Sequence, residues 1–163
     1  RAPQQRHLSR VTRRWEIRQL ADDEAERVAA VLGLARLGGD GFYLVAWDGE
    51  EALGHAHLAL TDPPELQDVA VREPHRRLGI ASALTQAAEA QAEARGFDRV
   101  RVTVSDANPA AQRLYRKQGY VDTGIPPKRS VGTVVIRTGP IEVDDTLLTW
   151  EKQLGRDPQV PGQ

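Results

Sequence analysis

Val69-Ala-Val-Arg-Glu-Pro-His-Arg-Arg-Leu-Gly-Ile-Ala-Ser-Ala-Leu84 decides the architecture of this chain. A short apolar, β-branched run gives way to a basic turn, a glycine and then a helical period. Ile80, Ala83, Leu84, Ala87 and Ala88 follow the i, i+3, i+4, i+7, i+8 spacing of one helix face. A strand is therefore expected to feed a helix whose first turn carries Arg76, Arg77 and Gly79. The first N–H groups of a helix have no internal partner and lie at the positive end of its dipole. Gly79 lets the backbone approach a ligand closely. Two arginines beside those donors make an anion site suited to phosphate. The stretch lacks both the Gly-Lys-Ser/Thr ending of a Walker A loop and the three-glycine dinucleotide fingerprint.

At 163 residues the chain has the length of one domain with a real core. Its formal net charge is −1, so no global basic field argues for nucleic acid. Arg72, His75, Arg76 and Arg77 are instead a local concentration, as a polyanionic cofactor requires. There are no cysteines, which excludes a disulfide framework, a thiol nucleophile and a thiolate metal site. No apolar run approaches a membrane span and no signal peptide is visible, so a cytoplasmic protein is the expectation.

Residues 1–12 are polar and Arg-rich and are expected to form a flexible arm; residues 13–154 form the single domain, and 155–163 read as a disordered tail. Trp15 to Leu20 alternates as a first strand. Ala21 to Leu37 reads as a helix, with Asp22 and Asp23 offering caps and Val28, Val31, Leu32 and Ala35 an apolar face, until Gly38-Gly-Asp-Gly41 breaks it. Phe42–Trp47 and Ala52–Leu60 flank Asp48-Gly-Glu-Glu51, a hairpin signal. Pro63-Pro64 precedes a strand at Leu66–Arg72, and the central helix runs to about Arg95, where Gly96 stops it.

Asp98–Val104 is a valine-rich strand. Asn108-Pro109 opens a second helix, as N-cap and first helical residue, and Gly119 closes it. Tyr120–Thr123 starts a further strand, Pro126–Ile141 is irregular or a protruding hairpin, and Asp145–Leu154 is the last strand. The order is a hairpin, then β-α-β-α, then two strands: an α/β protein with a mixed sheet flanked by helices. The central β-α-β segment needs parallel pairing, which puts the phosphate turn at the carboxyl end of a strand, where open sheets bind ligands.

Arg76-Arg-Leu-Gly-Ile-Ala81, five residues after Val71, resembles the acyl-CoA-binding signature Gln/Arg-x-x-Gly-x-Gly/Ala of the GNAT N-acetyltransferase superfamily. Asn108, Ala111, Tyr115, Gly119 and Tyr120 are similarly placed to the superfamily's Asn-x-x-Ala-x-x-x-Tyr-x-x-x-Gly-Phe segment. The resemblance implies a splayed central sheet of about six or seven strands that admits the pantetheine arm of acetyl-CoA. It departs from the pattern where the second helix gives way to Gly38–Gly41 and where the segment at 124–143 is enlarged, both in the acceptor region.

The resemblance further implies direct transfer from acetyl-CoA to a primary amine of a small molecule, amino acid or peptide, without a covalent enzyme intermediate or a metal. Val69, Ala70, Val71, Arg76, Arg77, Leu78, Gly79, Ile80, Ala81, Ser82, Asn108 and Tyr115 would hold the cofactor. Main-chain groups near Val69 and Val71 would pair with the pantetheine amides and hold the oxyanion. Asn108 is also a helix N-cap on local grounds, and Tyr115 also fits core packing beside Leu114; the resemblance makes Tyr115 the hydrogen-bond donor to the departing thiolate. For the general base, Glu65 leads over Asp68, His55 and His57, with a water relay as a further route. His55 and His57 share a strand face; their spacing permits a metal, but no third ligand is evident. Pro126-Pro-Lys-Arg129 and Arg137 could cover the amine site or form a plain hairpin or dimer contact, and Glu142, Asp144 and Asp145 could hold a cationic acceptor. The state is monomer or homodimer. The alternative function is an acyl-CoA-binding regulatory module without transfer activity, and after it a partner-binding domain with Arg76 and Arg77 merely on the surface.

Overall fold

Gly49 supplies the left-handed residue (φ +63°) that the two-residue turn Gly49-Glu50 needs, and the strands on either side register Asp48 against Glu51. That hairpin is β2 (Gly41–Asp48) and β3 (Glu51–Ala59). The computed structural model describes residues 15–35, 40–136 and 139–155. Around the hairpin lie β1 (Glu16–Gln19), a 3-10 turn (Asp22–Glu24), α1 (Ala25–Leu32), β4 (Glu65–Val71), a second 3-10 turn (Glu73–His75) and α2 (Ile80–Ala94). The chain continues as β5 (Arg99–Ser105), α3 (Pro109–Lys117), β6 (Val121–Asp122), β7 (Lys128–Ile136) and β8 (Gly139–Gln153). The eight described strands form one mixed sheet in the order β1-β2-β3-β4-β5-β8-β6, with β7 paired to β8.

Strand alternation gives the sheet two apolar faces. One packs Leu44, Ala46, Leu53, Ala56 and Leu58 under α2, which buries Ile80, Leu84, Ala88 and Ala92. The other packs Tyr43, Val45 and Trp47 against Val28 and Ala29 of α1 and against Leu34. Burying each large aliphatic side chain contributes about 1.5–3 kcal/mol, so the two faces dominate the stabilisation.

The parallel pairing that the β-α-β order requires is present but brief. β4 meets β5 only at Glu65↔Arg101 and Leu66↔Val102, and the two strands diverge beyond those rungs. The sheet is therefore splayed in its middle. Past the split, β4 is held from the β3 side, and Gly54 there admits it: a Cβ on Gly54 would stand 2.8 Å from the Ala70 carbonyl.

Several boundaries differ from those read in the sequence. The first helix stops at Leu32 rather than Leu37, because Gly33 adopts the left-handed C-cap conformation (φ +69°) and turns the chain. Its buried pair is Val28 and Ala29, while Val31 is 53 % exposed. Asp22 and Asp23 do not cap it; they lie in the 3-10 turn, where Glu24 Oε1 accepts from the Ala21 N–H at 3.0 Å. Arg76, Arg77 and Gly79 precede α2 instead of forming its first turn, since the 3-10 turn intervenes. The segment read as irregular or a hairpin is a hairpin, and its second strand begins at Gly139, making β8 fifteen residues long. β8 pairs with β7 through Gly139–Leu147 and with β5 through Leu147–Gln153. The expected arm at 1–12, residues 38 and 39 of the glycine-rich break, Arg137 and the tail beyond Gly155 lie outside the described residues.

Candidate active site

The loop between β4 and α2 is shaped by two left-handed residues, Arg77 (φ +68°) and Gly79 (φ +89°). Gly79 is the N-cap of α2, and a Cβ there would meet nothing within 4 Å, so the helix start opens onto free space. The first helical bond runs from the Ala83 N–H to the Gly79 carbonyl at 3.0 Å, which leaves the N–H groups of Ile80, Ala81 and Ser82 without an acceptor inside the helix. Arg76 folds back so that Nε donates to the Val71 carbonyl at 2.9 Å, tying the guanidinium to the end of β4. Donors and cation converge as an anion site requires.

On the far side of the split, α3 begins as its sequence dictates. Asn108 Oδ1 accepts from the Ala111 N–H at 3.1 Å, and Pro109 fills the first helical position. Ser105 prepares the approach: its Oγ accepts from the Ala107 N–H at 3.0 Å and donates to Asp145 Oδ1 at 2.7 Å.

Between these walls lies a cleft of about 640 Å³. Val69, Ala70 and Val71 line it from β4; Arg76, Arg77, Gly79, Ile80, Ala81 and Ser82 line its anion-binding end; Asn108 and Tyr115 line it from α3. Two of the named site residues stand outside. Leu78 does not line the cleft and is 56 % exposed. Glu65 sits at the zipped rungs of β4, roughly 13 Å along the strand from Val69 at the rise of an extended chain. His75, read in the sequence as part of the basic cluster, lines the cleft, and so do Ala110, Ala111 and Leu114, which the sequence did not assign to it. For Ala111 and Leu114 the signal was present, because Ala111 lies four residues before Tyr115 and three before Leu114, the spacings that make neighbours on a helix surface.

Tyr115 is 8 % exposed, and burial alone pushes its phenol up to about 12. Its ring meets Tyr120 edge to face at 5.5 Å. Tyr120 donates to Glu89 Oε2 at 2.8 Å, and Lys152 Nζ donates to Glu89 Oε1 at 2.9 Å. Burial, and after it the Glu89 charge, raises the Tyr120 phenol as well.

The remaining base candidates gather on the opposite face of β4. His55 and His57 share a face, both buried, with ring centroids 5.8 and 4.8 Å from that of Tyr43. Gln67 Oε1 lies 3.2 Å from His57 Nδ1. Burial lowers the His55 pKa from its ordinary 6.5, against the pull of the Asp68 charge. Asp68 Oδ2 accepts from the Tyr43 hydroxyl at 2.5 Å. Among the described residues no group of three His, Cys, Asp or Glu side chains is placed to hold a metal ion. No described helix is long and apolar enough to cross a membrane. The acids read as a cationic-acceptor site are already engaged: Glu142 with Thr133 and Asp144 with Arg129 inside the hairpin, and Asp145 with Ser105 of β5.

The family model of the acetyltransferase (GNAT) family matches residues 7–120. No curated protein matches the sequence. Among solved structures, the chain is similar to the ribosomal-protein-S18-alanine N-acetyltransferase from Escherichia coli, at 15% identity over 90% of this chain and 97% of that one, with TM-score 0.68. It is similar to an IAA acetyltransferase from Bacillus cereus, at 19% identity over 86% and 99%, with TM-score 0.66. A GNAT family acetyltransferase from Elizabethkingia anophelis with acetyl-CoA bound matches at 17% identity over 88% and 100%, with TM-score 0.60.

Proposed function

The chain belongs to the acetyltransferase (GNAT) family, and on that footing we propose that it transfers the acetyl group of acetyl-CoA directly to a primary amine within a ternary complex. The observation that carries this reading is the cleft itself. Its anion-binding end and its apolar walls meet along β4, so one extended ligand with a phosphate-bearing end and a slim arm fits the residues present. That the Elizabethkingia anophelis relative has acetyl-CoA bound agrees with the choice of ligand.

In this reading the N-terminal N–H groups of α2, with Arg76 and Arg77, hold the pyrophosphate. Main-chain groups of Val69–Val71, which face no rung of β5, pair with the amides of the arm as an added strand would. A backbone N–H of the same stretch stabilises the oxyanion. Bound acetyl-CoA supplies the thioester carbonyl. Tyr115 donates a hydrogen bond to the departing sulfur from the α3 wall. Full proton transfer from a phenol near 12 to a thiolate near 8.5 is uphill by roughly 5 kcal/mol, so Tyr115 acts by hydrogen bonding.

The acceptor is a small-molecule, amino-acid or peptide amine. The Escherichia coli and Vibrio cholerae relatives, named for ribosomal protein S18 alanine and for spermidine/spermine, span that range. The test mixes the protein with acetyl-CoA and a panel of amines while free thiol is followed. Thiol release with at least one amine is expected. Absence of thiol release together with absence of acetyl-CoA binding by calorimetry overturns the reading.

A further inference from the structure

The hairpin of β7 and β8 has two open edges, and only one of them is guarded. β8 meets β5 from Leu147 onward, so its residues 139–145 keep a free edge on that side. β7 has β8 as its one neighbour among the described residues. The Asp106 N–H donates to the Thr146 carbonyl at 2.9 Å, so Thr146 turns its main chain toward the β5 side. Backbone direction alternates along a strand, and Pro140, Glu142 and Asp144 therefore turn theirs the same way. Their rung partners on β7, Val135, Thr133 and Val131, turn N–H and C=O outward to the opposite edge. The β8 edge is blunted by a proline without an N–H and by two acids. The β7 edge has neither. Its register runs from Lys128 to Ile136 without a shift, Val131 and Val135 are 68 % and 77 % exposed, and Arg129 is paired with Asp144. Six of the nine large apolar side chains that stand exposed among the described residues lie between Val121 and Ile141, so the open apolar surface gathers on this margin of the sheet.

We propose that the bare edge of β7 pairs antiparallel with the same edge of a second copy, closing a two-fold homodimer about Thr133. With the axis there, Val131 stands opposite the partner's Val135, and Thr133 opposite the partner's Thr133. These are the residues whose main-chain groups face outward, so each rung becomes a hydrogen-bonded pair. On one face valine meets valine and threonine meets threonine, both favourable cross-strand pairs. On the other face Val134 stands opposite the partner's Gly132, where a Cβ would touch nothing within 4 Å, so the valine has room. Main-chain donors alone would accept any strand; the match of valine to valine and of valine to glycine singles out a second copy. Charge permits the approach. Glu142, which accepts from Thr133, lies three strand spacings from the partner's Glu142, on the order of 14 Å and beyond a Debye length of about 8 Å. The pairing uses both bare edges at once, and Pro140 stops a further copy from adding to β8, so the assembly closes as a dimer. β5 and β8 stand between β7 and the cleft, which stays open. The interface is independent of the acetyl-transfer reading.

Light scattering on the full chain, from micromolar to near-millimolar concentration, is expected to give twice the 18.0 kDa of one chain, falling toward 18.0 kDa on dilution. Thr133→Pro deletes an outward N–H that β8 does not use, and Val131→Lys puts a charge on an apolar rung. The two-fold repeats each loss on both sides, so each variant is expected to weaken association by about a hundredfold or more. Ile141→Lys removes an exposed apolar side chain from the guarded strand and is expected to leave the dimer intact. Circular dichroism identifies the folded variants; should the proline break the hairpin, Val131→Lys and hydrogen exchange in the wild type decide. The Thr133 amide is expected to exchange more slowly in the concentrated sample than in the dilute one. A monomer at every concentration, a dimer that survives the folded edge variants, or a Thr133 amide that exchanges equally fast in both samples overturns the proposal. So does a dimer that Ile141→Lys dissociates while Val131→Lys does not.

Discussion

Tyr115 and Tyr120 meet edge to face with ring centroids 5.5 Å apart, and this contact links the cleft to a buried ionic network. Tyr120 is fixed by Glu89 on α2, and Glu89 in turn by Lys152 on β8. The cleft tyrosine is thus braced by a residue that never reaches the cleft.

Removing the hydroxyl of Tyr115 should separate catalysis from binding. Tyr115→Phe keeps the ring contact and loses only the donor. We expect kcat to fall about ten- to a hundredfold, the worth of a hydrogen bond to a charged group, with acetyl-CoA affinity little changed. Steady-state kinetics beside calorimetry checks this; an unchanged kcat would refute it.

Tyr120→Phe acts on stability. It leaves a buried Glu89 oxygen without its donor, which costs about 1–3 kcal/mol. Urea unfolding measures the loss, seen as a lower midpoint at unchanged slope.

Gly79→Val tests the anion end. The substitution forces a β-branched residue to φ +89°, costing roughly 1–2 kcal/mol of stability. The new side chain also stands in space that lies free beside the helix start. Acetyl-CoA affinity should therefore drop by more than the stability loss explains, and wild-type affinity would disprove the placement.

Stability should fall at both ends of the pH scale. The folded pKa of His55 lies below 6.5, so its contribution is present above pH 6.5 and is lost as pH falls through the lowered value. Tyr115 is raised to about 12, so its contribution is full below the unfolded value of 10 and is lost as pH climbs from 10 to 12. Urea midpoints across pH 5 to 12 would show the two limbs, and His55→Gln should flatten the acid one.

What the sequence made legible was local. Gly79, Asn108, Pro109 and Gly119 each state a backbone requirement within a few residues, and the structure meets them. The end of α1 was legible too, in Gly33, but Leu34 and Ala35 prolong the apolar pattern and hide it. The bulge at Asp68 was not, because it depends on the register of β4 against β3, a non-local quantity. Nor was the start of β8. Gly139, Pro140 and three acids argue against a strand, and only cross-strand pairing with β7 overrides them. Glu65 and Asp68 are both carboxylates, three residues apart, and the sequence does not show that one lies at the rungs with β5 and the other in the bulge against β3.

The two rungs that join β4 to β5 also decide where the protein is weakest. Every other seam between the long strands is stitched along its length, whereas here the backbone amides past Leu66 face a gap. In the proposed reading the ligand lies along this least-paired line and would stand in for the missing strand. Heat tolerance should then track cofactor supply: at a hundredfold excess over Kd the folded state gains about 2.7 kcal/mol. Deuterium should enter the Val71 amide, which faces away from β3, quickly in the empty protein and slowly once acetyl-CoA is added.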